Sequence, residues 1–386
     1  MYVSFDDGDH WQSLRLNMAA SSVRDLIIKD DDLVVGTHGR GIWILDDITP
    51  LRQVENLTDT FLVKPEPAWR VRWNTNTDTP LPPDEANAPN PPEGAIIDYY
   101  LKSAAGGPVT LEVFGGDGKL VRRYASTDPI ERLDLATAPL PLHWFRPPQV
   151  LSTAPGMHRF TWDVHYQPLA GGGGGRGGLP IAAVPYNTVP APTTPWVSPG
   201  QYTVKLTVDG KTYSQPLTVK QDPRVKTPAL VMQQIYTTSK ALYYSAVDAQ
   251  TAARHAQALR DEIAKLQPQA SGAVSQALAD LDKKVEAIAG PPPGGGGRGG
   301  RGGRGGAGGA APPDTLNAIS ASLGGVMSSL QAADVKPTTV ELTAITAARA
   351  TAAKVMARWT AIKTVDVPAL NAKLKAAHLG ILQGEE

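Results

Sequence analysis

The sequence contains no cysteine, so several classes of chemistry are excluded at once. Without thiols the chain forms no disulfide, offers no thiolate ligand to zinc and has no cysteine nucleophile. Long apolar runs are also missing, and none approaches the ~20 residues that a membrane-spanning helix requires. The 37 basic residues are balanced by 37 acidic residues. This balance argues against a chain that binds nucleic acid or anionic membranes through an overall positive charge.

The short motifs of common catalytic sites are absent as well. The sequence has no H-E-x-x-H zinc motif, no G-x-S-x-G nucleophile elbow, no P-loop and no glycine-rich dinucleotide fingerprint between a strand and a helix. We therefore predict neither a cofactor nor a metal ion. The catalytic residues stay unknown at this level, and whether the protein is an enzyme is left open.

The even charge balance hides two unlike halves. Of the 24 aromatic residues, only four lie after residue 226, and the charges from residue 226 onward are 17 basic and 12 acidic, a net of +5. The first 225 residues therefore carry a net of −5. The first part is rich in Trp, Tyr, Val, Thr, Pro and Gly, and the second in Ala, Leu, Lys and Gln. These compositions predict a multidomain chain, first β and then α.

Two glycine-rich segments interrupt these regions. Residues 171–178 contain 7 glycines, and a second tract lies within residues 290–313. We predict that both are flexible insertions. The Arg-Gly-Gly triplets at Arg298, Arg301 and Arg304 suggest RNA binding as an alternative, but no aromatic residue for base stacking lies among them. A linker is favoured, and nucleic acid is not a predicted partner.

An eight-residue pattern near the amino terminus predicts a tight hairpin. Ser4, Asp6, Gly8 and Trp11 match the Asp-box pattern S-x-D-x-G-x-x-W. The Ser and Asp side chains are suited to accept hydrogen bonds from turn amides, and the glycine permits a positive φ. The acidic residues of this turn could also form an acid cluster or a calcium loop. We favour a solvated structural turn.

Three short apolar runs follow at a spacing of about ten residues, which predicts an antiparallel meander. They are Val23–Ile28, Leu33–Thr37 and Ile42–Leu45. Together with the Asp-box, the stretch at 36–47 (GTHGRGIWILDD) resembles the last blade of sortilin-like, Asp-box (BNR) repeat β-propellers, a group with many bacterial members labelled glycosyl hydrolases. Residues 1–55 would then be partial propeller blades, because one complete blade takes ~40–45 residues in four strands.

This resemblance implies that the chain is the carboxyl-terminal fragment of a longer protein. The remaining blades would be its partners, because isolated blades leave strand edges unpaired. The resemblance also implies secretion or a periplasmic location, although no signal peptide precedes the first strand. The function implied is glycoside hydrolysis or the binding of a glycan or peptide. The alternative is a non-catalytic scaffold protein of the sortilin type.

One glycine-rich turn of this region carries two candidate ligand-binding residues. His38 and Arg40 alternate with Gly39 and Gly41, and in the resemblance they would face the central channel of the propeller. The alternative is a tight turn in which Arg40 pairs with an aspartate of the pair at 46–47.

The middle of the chain predicts a linker and a second β domain. Residues 56–94 are rich in proline and read as an extended linker, with an edge strand around Trp69. Residues 95–225 contain six or seven short strands and two Asp-Gly hairpin turns. The runs GMHRFTWD and PGQYTVKL in this segment resemble the Ig-like module first named from the flagellar hook-capping protein. We expect an Ig-like sandwich there.

Asp163 and His165 within that domain are two residues apart, so a regular strand would place them on one face. They could be an acid–base pair or two metal ligands. We favour an ordinary surface pair.

Residues 226–386 predict an antiparallel helical bundle. A helix of about 38 residues is predicted to begin with Thr227 as its N-cap and Pro228 as its first helical residue. A capping box at Thr338 and Glu341 begins a later helix. Apolar residues recur at intervals of three and four through five such segments. A partner helix or a membrane surface could occupy these stripes instead, but the bundle core is favoured.

Overall fold

Strands precede residue 225 and helices follow residue 226, which confirms the predicted order of β and then α structure. The computed structural model describes residues 1–54, 58–72, 82, 84, 92–130, 141–169, 182, 186–188, 194–291 and 314–383. The predicted glycine-rich insertion at 171–178, residues 292–313 of the second insertion and most of the proline-rich stretch before residue 92 lie outside these residues.

The chain divides into two compact units. The first comprises Met1–Gln167, Leu179–Ala191 and Val197–Val225. The second comprises Pro168–Gly178, Pro192–Trp196 and Lys226–Glu386.

The first unit starts with a two-stranded hairpin and a three-stranded antiparallel sheet. The hairpin pairs β1 (Tyr2–Val3) with β2 (Gln12–Ser13), and the sheet has the order β3 (Val23–Lys29), β4 (Asp32–Thr37), β5 (Ile42–Leu45). The three strands predicted in this region are thus confirmed. A small apolar cluster joins hairpin and sheet, and its buried members are Leu14, Met18, Leu33, Val35 and Ile48.

Two more sheets complete the first unit. Their strands are β6 (Phe61–Leu62), β7 (Ala68–Arg70), β8 (Ala95–Leu101), β9 (Thr110–Gly115), β10 (Leu120–Ala125), β11 (Gly156–Trp162), β12 (Gly200–Val208) and β13 (Lys211–Gln221). The larger sheet has the order β10-β9-β12-β13-β7, and the smaller has the order β11-β8-β6. Strand β7 pairs in parallel with β13 at the edge of the larger sheet, where the sequence predicts an edge strand.

The two predicted hairpins of this region are present. Asp209 and Gly210 join β12 to β13 with φ values of 49° and 78°. Two consecutive residues with positive φ give the turn whose twist matches that of paired strands, and Asp-Gly is a favoured pair for it. In the turn between β9 and β10, Gly118 has a φ of 72° but Asp117 has no positive φ, so this hairpin turn is of a different type.

Aromatic side chains connect the larger sheet to the smaller one. The Tyr124 and Phe160 rings lie 4.7 Å apart, and those of Trp162 and Tyr202 lie 5.7 Å apart, both edge to face. Every second residue of β12 points into this core and is buried, as the alternation of its sequence predicts. The apolar core of the first unit therefore lies between these two sheets.

The second unit contains five helices among its described residues. They are α1 (Ala229–Leu266), α2 (Gly272–Ala289), α3 (Leu316–Leu330), α4 (Thr339–Ala361) and α5 (Val367–Ala376), with a π-helical turn at Ile362–Asp366. The capping box of Thr338 and Glu341 is confirmed. The predicted N-cap of α1 is wrong, because the Thr227 hydroxyl binds the carbonyl of Asp334 and caps no helix. No helix in the described part of the chain combines the length and apolarity needed to cross a membrane.

Alanines allow α1 and α3 to pack closely. Ala246 and Ala249 of α1 are fully buried, and the Ser320 hydroxyl of α3 donates to the Ala246 carbonyl at 3.3 Å. Small side chains bring helix backbones within reach of such a bond. Leu242 and Leu259 of α1 and Leu323 of α3 are also buried. The second unit therefore has an apolar core of its own.

Candidate functional site

The hairpin β1–β2 is held by hydrogen bonds of its own turn. The Ser4 hydroxyl accepts from the amide of Gly8 at 2.8 Å and donates to the Asp6 carboxylate at 2.8 Å. That carboxylate accepts from the amide of His10 at 2.9 Å and contacts the His10 ring at 2.5 Å. The bonds from His10 lower the pKa of Asp6. Gly8 has a φ of 102°, so the glycine of the pattern takes a conformation that other residues rarely adopt.

Trp11, the last residue of the pattern, lies beside this turn and remains 63% exposed. A Cβ atom added to Gly8 would lie 3.7 Å from the Trp11 ring, so the indole rests against the glycine. Within the described residues, no group of three or more histidine or acidic side chains is arranged to hold a metal ion. The carboxylate of Asp6 is instead occupied by the Ser4 hydroxyl and by the amide and ring of His10.

The glycine-rich turn between β4 and β5 presents two side chains to solvent. Gly39 and Gly41 have φ values of 73° and 75°, and the Trp43 indole donates to the carbonyl of Arg40 at 2.9 Å. The side chains of His38 and Arg40 are exposed. Arg40 forms no ion pair with any described carboxylate, so its expected pairing with the aspartates at 46–47 is wrong.

The three-stranded sheet has one packed face and one bare face. Leu33 and Val35 of β4 point into the small apolar cluster. On the opposite face, the register places Ile27, Val34 and Ile44 in one row across the three strands. Ile27 is 53% exposed and Ile44 is 57% exposed. A contiguous row of branched apolar side chains on a sheet surface is typical of a face that another element covers.

Strand β3 is exposed to solvent on both of its faces, including the face on which the residues of β4 are packed. All seven of its residues are exposed, including Leu26 and Ile28, which lie on the same side as the packed residues of β4. The strand is also an edge of its sheet, with β4 as its single partner among the described strands. An exposed apolar edge strand is unusual in a soluble protein because it invites further pairing.

Arg159 is one of the residues that attach this region to the smaller sheet of the first unit; Gln53, which bonds to the backbone of Lys64 at 3.0 and 2.9 Å, is another. Arg159 of β11 binds the Asp98 carboxylate through two nitrogens, at 3.0 and 2.9 Å. The same guanidinium donates to the carbonyls of Asp46 and Asp47, at 2.8 and 3.1 Å. Asp98 is buried, and its burial raises its pKa while Arg159 opposes that change. One planar cation thus satisfies a buried carboxylate and two chain carbonyls.

Glu66 lies in the acidic surroundings of this arginine. Burial raises the pKa of Glu66 to about 7, and the negative charges of Asp47, Asp32 and Asp31 add to the increase. The positive charge of Arg159 opposes it. A carboxyl group that keeps its proton near neutral pH beside ionised carboxylates is a feature of glycosidase sites.

The neighbouring carboxylates, however, all hold the chain together. Asp32 accepts from the amide of Asp47 at 2.9 Å, and Asp47 accepts from the amide and hydroxyl of Thr49 at 2.9 and 2.6 Å. Asp31 pairs with Arg52. These bonds give each aspartate a structural role, so the cluster does not supply a free acid–base pair.

Few features of the sequence predict this arrangement. Arg159 and Asp98 are 61 residues apart and come from two strands whose pairing has no local signal. The one available hint was chemical, because the unit has an acidic excess and Asp-rich turns that require cations.

Asp163 and His165 form neither the acid–base or metal-ligand pair nor the surface pair that the sequence suggested. Strand β11 ends at Trp162, and Val164 has a φ of 52°, so the strand geometry that would put the two side chains on one face is lost. Asp163 is exposed whereas His165 is buried, which makes the expected surface pair wrong. The His165 ring contacts the Asp163 carbonyl at 2.6 Å, and burial lowers the pKa of His165.

Comparisons of the chain with protein-family models, with curated proteins and with solved structures give no match.

Proposed function

We propose that this chain is the carboxyl-terminal part of a secreted or periplasmic Asp-box β-propeller protein that binds or hydrolyses glycans. Residues 1–55 would contribute blade strands, the two larger sheets an Ig-like sandwich, and residues 226–386 an antiparallel helical bundle. The observation that carries the proposal is the bare apolar face and edge of the sheet β3-β4-β5. Blades of a propeller pack face to face, so each blade needs an apolar surface on both sides.

The missing cover would be further blades of the same protein. Ile27, Val34 and Ile44 form a flat row that suits the face of another sheet. The Asp-box hairpin, which the resemblance links to propeller blades, packs against the opposite face through the cluster of Leu14 and Met18. A second copy of this chain is the competing occupant of the bare face.

The chemistry would then lie outside this chain. The acidic residues near Arg159 are engaged in structural bonds. The alternative function is peptide binding by a non-catalytic scaffold of the sortilin type. The extended protein is here the product of this chain together with the in-frame DNA expected before codon 1. Assays of the extended protein on aryl glycosides, sialosides and peptide libraries distinguish a hydrolase from a scaffold, because a scaffold would bind without turnover.

One labelling experiment tests directly whether further blades cover the exposed face of the sheet β3-β4-β5. The chain has no cysteine, so Ile44→Cys introduces a single thiol on the bare face. The DNA before codon 1 is expected to continue in frame and to encode further Asp-boxes. Maleimide should label this thiol about ten-fold more slowly in the extended protein than in the 386-residue chain. Thr212→Cys, on the larger sheet, is the matched control and should react equally in both.

Two results would contradict the proposal. One is an in-frame stop codon immediately before codon 1. The other is an unchanged labelling rate at position 44 in an extended protein. Protection of Ile44→Cys that rises with the concentration of the 386-residue chain would instead identify a second copy as the occupant.

A further inference from the structure

The outward face of the larger sheet combines aromatic rings, lysines and hydroxyl groups. The inward residues of β12 are buried, and its outward residues are Gln201, Thr203, Lys205 and Thr207. Across the sheet the register continues this face with Thr110, Glu112 and Phe114 of β9, with Thr212, Ser214, Pro216, Thr218 and Lys220 of β13, and with Trp69 of β7. Hydroxyl and amide side chains therefore separate two aromatic rings.

Each of these rings has a lysine beside it. The Lys205 ammonium lies 4.5 Å from the centre of the Phe114 ring, and the Lys220 ammonium lies 5.2 Å from the centre of the Trp69 ring. Trp69 is 47% exposed. Neither lysine pairs with a carboxylate among the described residues. Lysine has a flexible stem, so the ammonium can move from the ring face to its rim when another group stacks there.

A shallow pocket lies at the Phe114 end of this face. Its volume is about 280 Å³, close to the lower end of the range for small-molecule sites. Phe114, Thr203 and Lys205 form part of its lining, and Gly115, Gly116 and Gly118 leave the side towards the hairpin turn open. From strand spacing and rise, this pocket is about 19–20 Å from Trp69 along the diagonal of the sheet.

We propose that this face binds a carboxylated oligosaccharide, with one sugar ring on Phe114 and another on Trp69. A sugar ring has an apolar C–H face that stacks on an aromatic ring and a rim of hydroxyl groups that Thr203, Thr218 and Gln201 can hydrogen-bond. The two unpaired lysines supply the positive charge that a sugar carboxylate requires. The distance between the rings corresponds to a chain of several sugars. This inference does not depend on the proposed propeller.

Single-stranded nucleic acid also stacks on aromatic rings beside cations. The acidic excess of residues 1–225 and the carboxylate of Glu112, which lies opposite Lys205 in the register, disfavour a polyphosphate. A ligand with fewer charges and many hydroxyl groups fits the composition of the face better.

Calorimetric titration of the full chain with an oligogalacturonate tests the proposal. We expect saturable binding, and weaker binding of the same oligosaccharide after methyl esterification, which removes its charges and keeps its rings. Trp69→Ala should weaken binding about ten-fold, because it removes one stacking surface. Lys220→Ala should weaken binding of the acid form about three-fold and leave the ester unaffected.

Lys211→Ala is the matched control, because Lys211 lies on the same sheet away from both rings, and it should bind like the wild type. Circular dichroism of each variant verifies that its fold is intact. The proposal is overturned if oligogalacturonate does not bind, if well-folded Trp69→Ala and Phe114→Ala variants bind as the wild type does, or if oligothymidylate or polyglutamate binds equally well with the same dependence on Trp69.

Discussion

Strands β3 and β8 are both seven residues long and both rich in apolar side chains, yet their surroundings are opposite. Six of the seven residues of β8 are buried, and Ile97, Ala95 and Leu101 are completely inaccessible to solvent. All seven residues of β3 are exposed. Strand β8 lies between β6 and β11 with the larger sheet over one face, whereas β3 has one neighbouring strand in the described part of the chain.

The comparison shows that apolar composition alone does not decide which strand is buried. Burial of a strand requires a neighbour at each edge and a layer on its apolar face, and the first unit supplies both for β8. No described element covers β3, although its residues Leu26, Ile27 and Ile28 are of the same apolar types as residues of buried strands. The exposure of β3 therefore reflects its surroundings and not its composition, and three predictions test that difference.

The largest effect is expected at the arginine that joins the two regions. Arg159→Ala should lower the free energy of unfolding by about 3–5 kcal/mol, because Asp98 would be left buried without its cation. Denaturant unfolding at neutral pH measures the change. Arg123→Ala is the matched control, because that arginine is exposed and 3.7 Å from Asp128, and it should cost less than about 1 kcal/mol.

A further variant identifies the reason for the loss. Asp98→Asn combined with Arg159→Met removes both charges and should recover most of the stability. If Arg159→Ala proved as mild as Arg123→Ala, the arginine would not be the main attachment between the three-stranded sheet and the smaller sheet.

Local patterns were sufficient to predict much of this fold. Alternation in β12, the Asp-Gly turns and the capping box of Thr338 are each encoded within about ten neighbouring residues, and all three are present. Pairings between distant segments have no such code. The contact of Arg159 with the carbonyls of Asp46 and Asp47 spans more than 110 residues, and nothing in either segment predicts it.

For the candidate site, too, the sequence predicts local turns but not contacts between distant segments. The sequence predicts the Asp-box turn because its bonds are local, but the bare face of β3-β4-β5 appears only when the neighbours of each strand are known. The predicted surface pair of Asp163 and His165 was wrong for a related reason. The positive φ of Val164 reverses the side on which the next side chain lies. Strand periodicity applies only while the backbone remains extended.

The second prediction places one substitution in both regions. Ile97→Ala in β8 should reduce the free energy of unfolding by about 3 kcal/mol, since it opens a cavity in a closed core. Ile27→Ala in β3 removes the same atoms from a surface and should change it by less than about 0.5 kcal/mol. Thermal and urea unfolding of both variants measure the contrast. Equal losses would mean that β3 is covered in solution, which would identify self-association of this chain.

The smallest effect is expected from Glu66, and it depends on pH. Its pKa is about 7 in the folded protein against 4.5 for the free side chain, so the folded state binds a proton that the unfolded state has already lost. The resulting stabilisation is complete below about pH 4.5 and is lost as the pH rises to about 7. Because Glu66 is only partly buried, solvent screening reduces the loss to about 1–2 kcal/mol.

Glu66→Gln removes this titration, so the difference in unfolding free energy between wild type and variant should change across that pH window. The variant should be relatively more stable at pH 8 than at pH 4. Asp46 and Asp98 also have raised pKa values and contribute to the slope of both proteins, which is why the difference is the informative quantity. A wild-type minus Glu66→Gln difference that stays constant from pH 4 to 8 would show that the pKa of Glu66 is not raised in the folded protein, so that neither burial nor the nearby aspartates act on it.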